Sequence, residues 1–178
     1  MLRLFIGLSA PDDVAAQLAG LANGMPGARW VEPENMHVTL RFIGEVSEGD
    51  AEDIHVELSR LVAKPFSFDI TGMDTFGQGR KAHALFAGVS LSAELELLQT
   101  RVEAAVARAG QPRKTRKFKP HVTIAQLKNT PETHLLGFIQ THNLFRAGPI
   151  AVDHYILYES RMGKGGSAYF PVAEYPLV

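Results

Sequence analysis

The feature that most constrains the fold is an order of apolar segments that occurs twice along the chain. Each half reads as strand, helix, a strand containing His-Val-Thr, helix and strand. The first series begins with the apolar run at 2–8, and the second begins with the run at 83–91, after a Gly-rich turn at 76–80. This repetition predicts a diverged internal duplication.

Capping residues and periodicity place the elements within each half. Ser47 to Asp50 is typical of a capping box, and the apolar face of Ile54, Leu58, Leu61 and Val62 predicts an amphipathic helix over 51–64. The other predicted helices span 11–23, 92–110 and a short segment after Thr130 and Pro131. Further strands are predicted at 28–31, 36–44, 66–72, 120–127 and 151–160, followed by a hairpin whose turn is 163–166.

Composition narrows the class of protein. The chain has 178 residues, of which 46% are hydrophobic, and a formal net charge of −1, so we expect a globular protein whose contacts with nucleic acid are local. The absence of cysteine excludes disulfides, a thiolate nucleophile and Cys-ligated zinc. The opening apolar run is too short for a signal peptide and no later run could cross a bilayer, so we expect a cytoplasmic protein without a membrane segment.

The two His-Val-Thr triplets place polar groups on one face of each predicted strand. Side chains alternate across a strand, so His37 shares a face with Thr39, and His121 shares a face with Thr123. If the two halves face each other about a pseudo-twofold axis, both polar faces meet in one cleft. A single triplet is equally compatible with a strand that faces solvent. About 0.35 such triplets are expected by chance, so two in equivalent places favour catalysis.

Two histidines that face one small anion suggest in-line displacement at phosphorus. One imidazole can take a proton from the attacking oxygen while the other gives one to the leaving oxygen, because the ordinary pKa of histidine lies near 6.5. Threonine hydroxyls can donate hydrogen bonds to the non-bridging oxygens of the phosphate. No metal ion is needed for this chemistry.

At these residues the sequence resembles the two-histidine phosphoesterase superfamily, specifically the bacterial RNA 2′,3′-cyclic phosphodiesterases, also called 2′-5′ RNA ligases. The resemblance covers almost the whole chain and is strongest at 36–46, 76–89, 117–125 and 157–177. It implies an α+β bilobal fold with two antiparallel sheets, helices on the outside and a central cleft. The expected domain is 1–178, with approximate lobes at 1–77 and 78–178 that could exchange strands.

The resemblance also implies a reaction and roles for the motif residues. It implies hydrolysis of a 2′,3′-cyclic phosphate at an RNA end or on a nucleotide to a 2′-phosphate, with 2′-5′ joining as the reverse reaction and no cofactor. His37 resembles the proton donor, His121 the proton acceptor, and Thr39 and Thr123 the phosphate-binding hydroxyls. Phe42 resembles an aromatic residue near the nucleobase, and a core phenylalanine is an equal alternative.

Further candidates for substrate binding flank the motifs: Arg41, Lys117, Lys119 and Gln126. The two lysines belong to the basic segment 113–119, which could guide an RNA backbone or could be an ordinary solvated loop. Many family members have arginine where this chain has Gln126, so we expect weaker binding of an additional phosphate and less ligase activity.

Two other functions remain open from the sequence. A metal-dependent phosphoesterase would also use histidines, although the chain has no His-x-His, His-x-Asp or His-Glu-x-x-His pattern. An RNA-end binding module without turnover is the second alternative. The other five histidines are predicted to be structural or exposed, with His83 and His154 the two that could approach the cleft. We expect a monomer.

Overall fold

The computed structural model describes residues 1–178 and contains four α-helices, two short 3-10 helices and nine strands. The α-helices are α1 (Asp12–Ala19), α2 (Glu48–Arg60), α3 (Ala93–Arg108) and α4 (Glu132–His142). The strands are β1 (Leu2–Ser9), β2 (Ala28–Trp30), β3 (His37–Val46), β4 (Phe66–Phe76), β5 (Ala84–Val89), β6 (His121–Leu127), β7 (Arg146–Val152), β8 (His154–Gly163) and β9 (Gly166–Pro176).

Side-chain caps fix where the two longest helices begin. The Ser47 hydroxyl accepts a hydrogen bond from the Asp50 N–H at 3.1 Å, as the capping box predicts. Ser92 caps α3 in the same way. Helix α2 ends at Arg60, earlier than predicted, and Val62 is 67% exposed. Pro65 disfavours a helical conformation at the residue before it, so the chain extends towards β4.

All nine strands lie in one antiparallel sheet, in the order β7-β4-β5-β6-β3-β1-β8-β9, with β2 also paired to β6. The α+β class and the antiparallel pairing are therefore confirmed. The prediction of two separate sheets is corrected, because Val38 on β3 pairs with Val122 on β6 and joins what would otherwise be two sheets.

The strand order crosses the boundary between the two halves of the sequence. Strand β4 comes from the first half, yet it lies between β5 and β7 from the second half. The β8-β9 hairpin, with the predicted turn at its tip, lies beside β1 from the first half. The motif strands β3 and β6 lie at the centre of the sheet. On one side β3 is followed by β1 and β8, and on the other side β6 is followed by β5 and β4, so the two sides correspond strand by strand. The lobes at 1–77 and 78–178 and their pseudo-twofold axis remain predictions.

Strand β7 is absent from the sequence analysis, which placed one strand at 151–160. The structure divides that region at Asp153, between β7 and β8. The dipeptide Gly148-Pro149 reads as a turn signal in the sequence, yet it lies within β7. Proline is tolerated there because β7 is the edge strand of the sheet and its outer N–H groups have no strand partner.

One face of the sheet packs against the main hydrophobic core, and the histidine and threonine side chains of the motifs project from the other face. Val38, Leu40, Val122 and Ile124 are buried within a cluster of 38 residues that includes the helices' apolar faces. A second, small cluster of Phe5, Ile156 and Tyr158 packs with Tyr169. None of the helices is long and apolar enough to cross a membrane.

Candidate active site

The Val38–Val122 pair brings the two motifs side by side. Because the pairing is antiparallel, His37 lies beside Thr123, and Thr39 lies beside His121. The two valines are buried in the core, so the four motif side chains project from the opposite face. His37, Thr39 and Thr123 line a cleft of about 510 Å³.

A β-bulge follows the threonine of each motif. On β3, Gly7 and Ile6 of β1 pair with Thr39 and Arg41, which leaves Leu40 without a partner. On β6, Phe86 and Leu85 of β5 pair with Thr123 and Ala125, which leaves Ile124 without one. An extra residue reverses which face the following side chains occupy. The alternation that places His and Thr in the cleft therefore does not continue beyond the bulge.

This bulge overturns the expectation that Arg41 binds substrate. The Arg41 side chain is buried on the helix side, where its Nη1 lies 2.6 Å from Glu103 Oε2 on α3. Its Nη2 donates to the Pro112 carbonyl at 2.6 Å, and its Nε donates to the Phe42 carbonyl at 3.0 Å. Arg41 therefore ties β3 to α3 and to the start of the basic segment, and it does not line the cleft.

The same bulges turn Phe42 and Gln126 towards the cleft. Both side chains line it, and they occupy equivalent positions, three residues after the motif threonines. Phe42 is 41% exposed, so the alternative of a core phenylalanine is excluded. The Arg3 guanidinium carbon lies 5.1 Å from the Phe42 ring centroid and lines the cleft as well.

Backbone carbonyls orient both imidazoles. His37 Nδ1 lies 2.7 Å from the Asn35 carbonyl oxygen, and His121 Nδ1 lies 2.7 Å from the Lys119 carbonyl oxygen. A carbonyl only accepts, so each Nδ1 carries a proton and each Nε2 is the nitrogen left for proton transfer. His37 Nε2 lies 2.9 Å from Thr39 Oγ1, so the hydroxyl donates to it while His37 is neutral.

Burial lowers the pKa of both histidines. Loss of hydration is the main cause for each, and the hydrogen bond to the backbone carbonyl partly offsets it. The charge of His121 further lowers the pKa of His37. The nearby ammonium of Lys119 further lowers the pKa of His121.

Aromatic rings that the sequence analysis missed pack against each histidine. Phe5 and Tyr169 lie with ring centroids 4.7 and 5.1 Å from His37. Phe76 and Phe86 lie 4.7 and 5.1 Å from His121. A repeated pattern was available, because Leu-Phe-Ile-Gly-Leu at 4–8 matches Leu-Phe-Ala-Gly-Val at 85–89 and supplies the phenylalanine beside each motif.

The two lysines of the basic segment have different surroundings. Lys117 is exposed and lies outside the regular elements. Lys119 is exposed too, but its ammonium lies 5.5 and 5.2 Å from the ring centroids of Phe76 and Phe86. Lys119 is therefore held beside His121, whereas the structure gives Lys117 no contact with the cleft.

None of the other five histidines lines the cleft. His55 Nδ1 lies 2.9 Å from the Tyr175 hydroxyl, and His154 pairs with Asp153 at the surface. His83 stacks on Phe76 with ring centroids 6.3 Å apart, so it reaches the aromatic wall of His121 but not the cleft. No group of three or more His, Asp or Glu side chains is close enough together to hold a metal ion.

One antiparallel sheet that presents two His-x-Thr strands to a shared cleft defines the class of two-histidine phosphoesterases. The chain belongs to the LigT-like phosphoesterase family, whose model matches residues 8–86 and 89–169. An RNA 2′,3′-cyclic phosphodiesterase of Aquifex aeolicus is 28% identical over 99% of this chain and 98% of its own length. A protein of the same name from Thermotoga maritima is 30% identical over 94% of this chain and 91% of its own.

Solved structures share the fold. E. coli LigT complexed with 3′-AMP superposes with a TM-score of 0.79 at 23% identity, and the match covers 99% of this chain and 98% of that chain. A protein of Thermus thermophilus superposes with a TM-score of 0.80, also at 23% identity and with the same coverage of both chains. Both likenesses extend over the whole sheet and its helices.

Proposed function

We propose that the protein hydrolyses 2′,3′-cyclic phosphates at RNA ends or on nucleotides and leaves a 2′-phosphate. The observation that carries this proposal is the Val38–Val122 pair, which places His121 beside Thr39 at the edge of the cleft that His37, Thr39 and Thr123 line. Relatives named RNA 2′,3′-cyclic phosphodiesterase, matched over nearly the full length, support the substrate class.

His121 is the proton acceptor in this proposal. Its Nδ1–H donates to the Lys119 carbonyl, so the lone pair that can accept a proton is on Nε2. The lowered pKa keeps the ring neutral near pH 7, the form that can take a proton from water. The Lys119 ammonium beside it offsets the charge of a phosphate that approaches this side.

His37 is the proton donor. Once protonated, its Nε2–H can donate to the leaving 3′-oxygen in place of the Thr39 hydroxyl, while Nδ1–H stays bonded to Asn35. Thr39 and Thr123 donate hydrogen bonds to the non-bridging oxygens, because each hydroxyl lies beside the other motif's histidine. The nucleoside that carries the leaving oxygen occupies the cleft on the His37 side, where Phe42 offers a ring face and Gln126 an amide.

The test is product analysis on an oligonucleotide that ends in a 2′,3′-cyclic phosphate. We expect a 2′-phosphate product, because the 3′-oxygen leaves, and we expect the same rate in excess chelator. A 3′-phosphate product would mean that the 2′-oxygen leaves and would contradict the proposed product. Loss of activity on chelation would favour a metal-dependent phosphoesterase, and return of intact substrate would favour an RNA-end binding module.

Replacement of either motif histidine tests the roles directly. His37→Ala and His121→Ala should each lower turnover by about 10²- to 10⁴-fold, because each removes one proton-transfer group. His134→Ala on the exposed surface of α4 is the matched control and should leave turnover unchanged. Near-wild-type rates in both motif variants would overturn the proposed function. A monomeric state, measurable by sedimentation, and a cytoplasmic location remain predictions.

A further inference from the structure

A second cavity lies on the same face of the sheet, on the His121 side of the cleft. Its volume is about 330 Å³, and we refer to it as the side pocket. Phe86, which packs against His121, forms one wall, and Lys119 forms another. Gly88, also in the lining, pairs with His121 across β5 and β6. Two residues that line the side pocket, Phe86 and Lys119, therefore contact His121, the residue proposed to activate the nucleophile.

The polar groups of the side pocket suit a ribose and a phosphate. Lys119 and Arg146 supply two cations, Thr71 and Asn143 supply neutral hydrogen-bonding groups, and Asp74 is the single carboxylate in the lining. None of the five ion pairs of the protein includes Lys119 or Arg146, so both cations are free to meet an anion. The volume is at the small end of the roughly 300–1,000 Å³ that ligand pockets occupy.

In-line displacement decides which part of a substrate lies here. The leaving 3′-oxygen and its nucleoside lie on the side of the acid, His37, where the larger cleft has room for them. The attacking oxygen must enter on the opposite side, which is the side of the base, His121. The side pocket adjoins His121 through Phe86 and Lys119 and shares no lining residue with the cleft, so it lies on the side of the nucleophile rather than that of the nucleoside that carries the cyclic phosphate.

On this basis we propose that the side pocket is the binding site for an RNA strand with a free 5′-hydroxyl, the acceptor in 2′-5′ joining. This inference rests on the proposed function. The 5′-oxygen forms a bond to phosphorus, the bond from phosphorus to O3′ breaks, His121 Nε2 takes the proton of the 5′-hydroxyl, and His37 gives a proton to O3′. The product is a 2′-5′ phosphodiester, and no other reactant is required.

Arg146 is the residue whose loss separates joining from hydrolysis. It is exposed at the start of β7, and it lines the side pocket without lining the cleft. Its guanidinium would contact the first phosphate of the acceptor strand, a group that water does not have. A variant at Arg146 should therefore weaken the acceptor while water still reaches the phosphorus atom.

The experiment compares wild type, Arg146→Gln, Asn143→Ala and the control Arg60→Gln, which removes the same charge at the end of α2, against α3. Each protein receives a cyclic-phosphate oligonucleotide with or without a second oligonucleotide that carries a 5′-hydroxyl. We expect Arg146→Gln to raise the acceptor KM about tenfold, and Asn143→Ala several-fold, with hydrolysis within about twofold of wild type. The slope of log(1/KM) for the acceptor against the logarithm of the salt concentration should be smaller in magnitude by about 0.7 for Arg146→Gln, because one contact with a phosphate of a single strand is lost.

The other outcomes separate this inference from the proposed function. Equal losses of hydrolysis and joining in Arg146→Gln would mean that the side pocket holds the strand that carries the cyclic phosphate, and the inference would be wrong. Unchanged joining, or a wild type that hydrolyses without joining, would also overturn it while leaving the proposed function intact. A wild type that does neither would contradict the proposed function itself.

Discussion

At the scale of single residues, the environment of His37 and His121 sets the pH at which the reaction runs. Burial lowers the pKa of both rings below 6.5. In the proposed mechanism His37 must be protonated and His121 neutral. The productive fraction of free enzyme is then largest midway between two lowered pKa values.

We therefore expect a bell-shaped dependence of kcat/KM on pH with its maximum below 6.5. The rate falls at higher pH because His37 loses its proton, and it falls at lower pH because His121 gains one. Bound phosphate stabilises both charged rings, so the maximum of kcat should lie at higher pH than that of kcat/KM. Initial rates from about pH 4.5 to 8.5 measure both profiles, and a kcat/KM maximum above 7 would contradict this reasoning.

Gly7 fixes how closely β1 approaches the first motif. A Cβ atom at this position would lie 2.7 Å from the Val38 carbonyl oxygen and 3.5 Å from His37 Cδ2. Gly7→Ala should lower the free energy of unfolding by about 1–3 kcal/mol, because the methyl forces the strands apart. Turnover should fall as well, because His37 moves with β3.

Urea unfolding and initial rates measure the two effects of Gly7→Ala. Gly24→Ala is the matched control, since a Cβ there has no atom within 4 Å. If Gly7→Ala retained the stability and turnover of the control, then close approach at Gly7 would not position His37.

At the scale of elements, the two bulges explain what the sequence could and could not predict. Strict alternation correctly predicts that His37 shares a face with Thr39, because those residues precede the bulge. It misplaces Arg41, because an unpaired Leu40 reverses the faces beyond it. A bulge depends on how β1 and β5 pair with the motif strands, and that pairing is not encoded in the local pattern. Strand β7 was missed for a related reason, because only its pairing with β4 makes it a strand.

The buried Arg41–Glu103 pair should be important for stability rather than for chemistry. The two side chains are 3% and 12% exposed, so Arg41→Ala leaves a mostly buried carboxylate without its partner. We expect the free energy of unfolding to fall by about 3–5 kcal/mol. The turnover of the folded Arg41→Ala protein should fall far less than the about 10²- to 10⁴-fold loss expected for a motif histidine.

Urea unfolding, together with rates normalised to folded protein, tests this assignment. Arg60→Ala removes an arginine that pairs with Glu57 at the surface and should cost less than about 1 kcal/mol. If a variant of Arg41 were fully stable but inactive, Arg41 would have a role in substrate binding or catalysis, and the structural assignment would be wrong.

At the scale of the whole molecule, the strand exchange should make the protein unfold as one unit. Strand β4 pairs only with strands of the second sequence half, and β8 pairs with β9 and with β1 of the first half. Neither half can therefore satisfy its strands alone. We expect a single unfolding transition in which Trp30 fluorescence and far-UV circular dichroism coincide.

Separate expression of 1–77 and 78–178 extends this prediction. Each fragment should lack a cooperative transition, because its exchanged strands have lost their neighbours. Two resolved transitions in the intact chain, or a folded isolated fragment, would show that the halves are independent.

The matching bulges leave positions 42 and 126 as two equivalent positions whose side chains line the cleft beside the motif residues. Position 42 carries a hydrophobic ring and position 126 an uncharged amide, so two structurally equivalent positions offer the substrate different chemical groups. Exchanges at these two positions can retune selectivity without disturbing the imidazoles and hydroxyls beside them. Selectivity and catalysis can consequently evolve on separate residues of the same two strands.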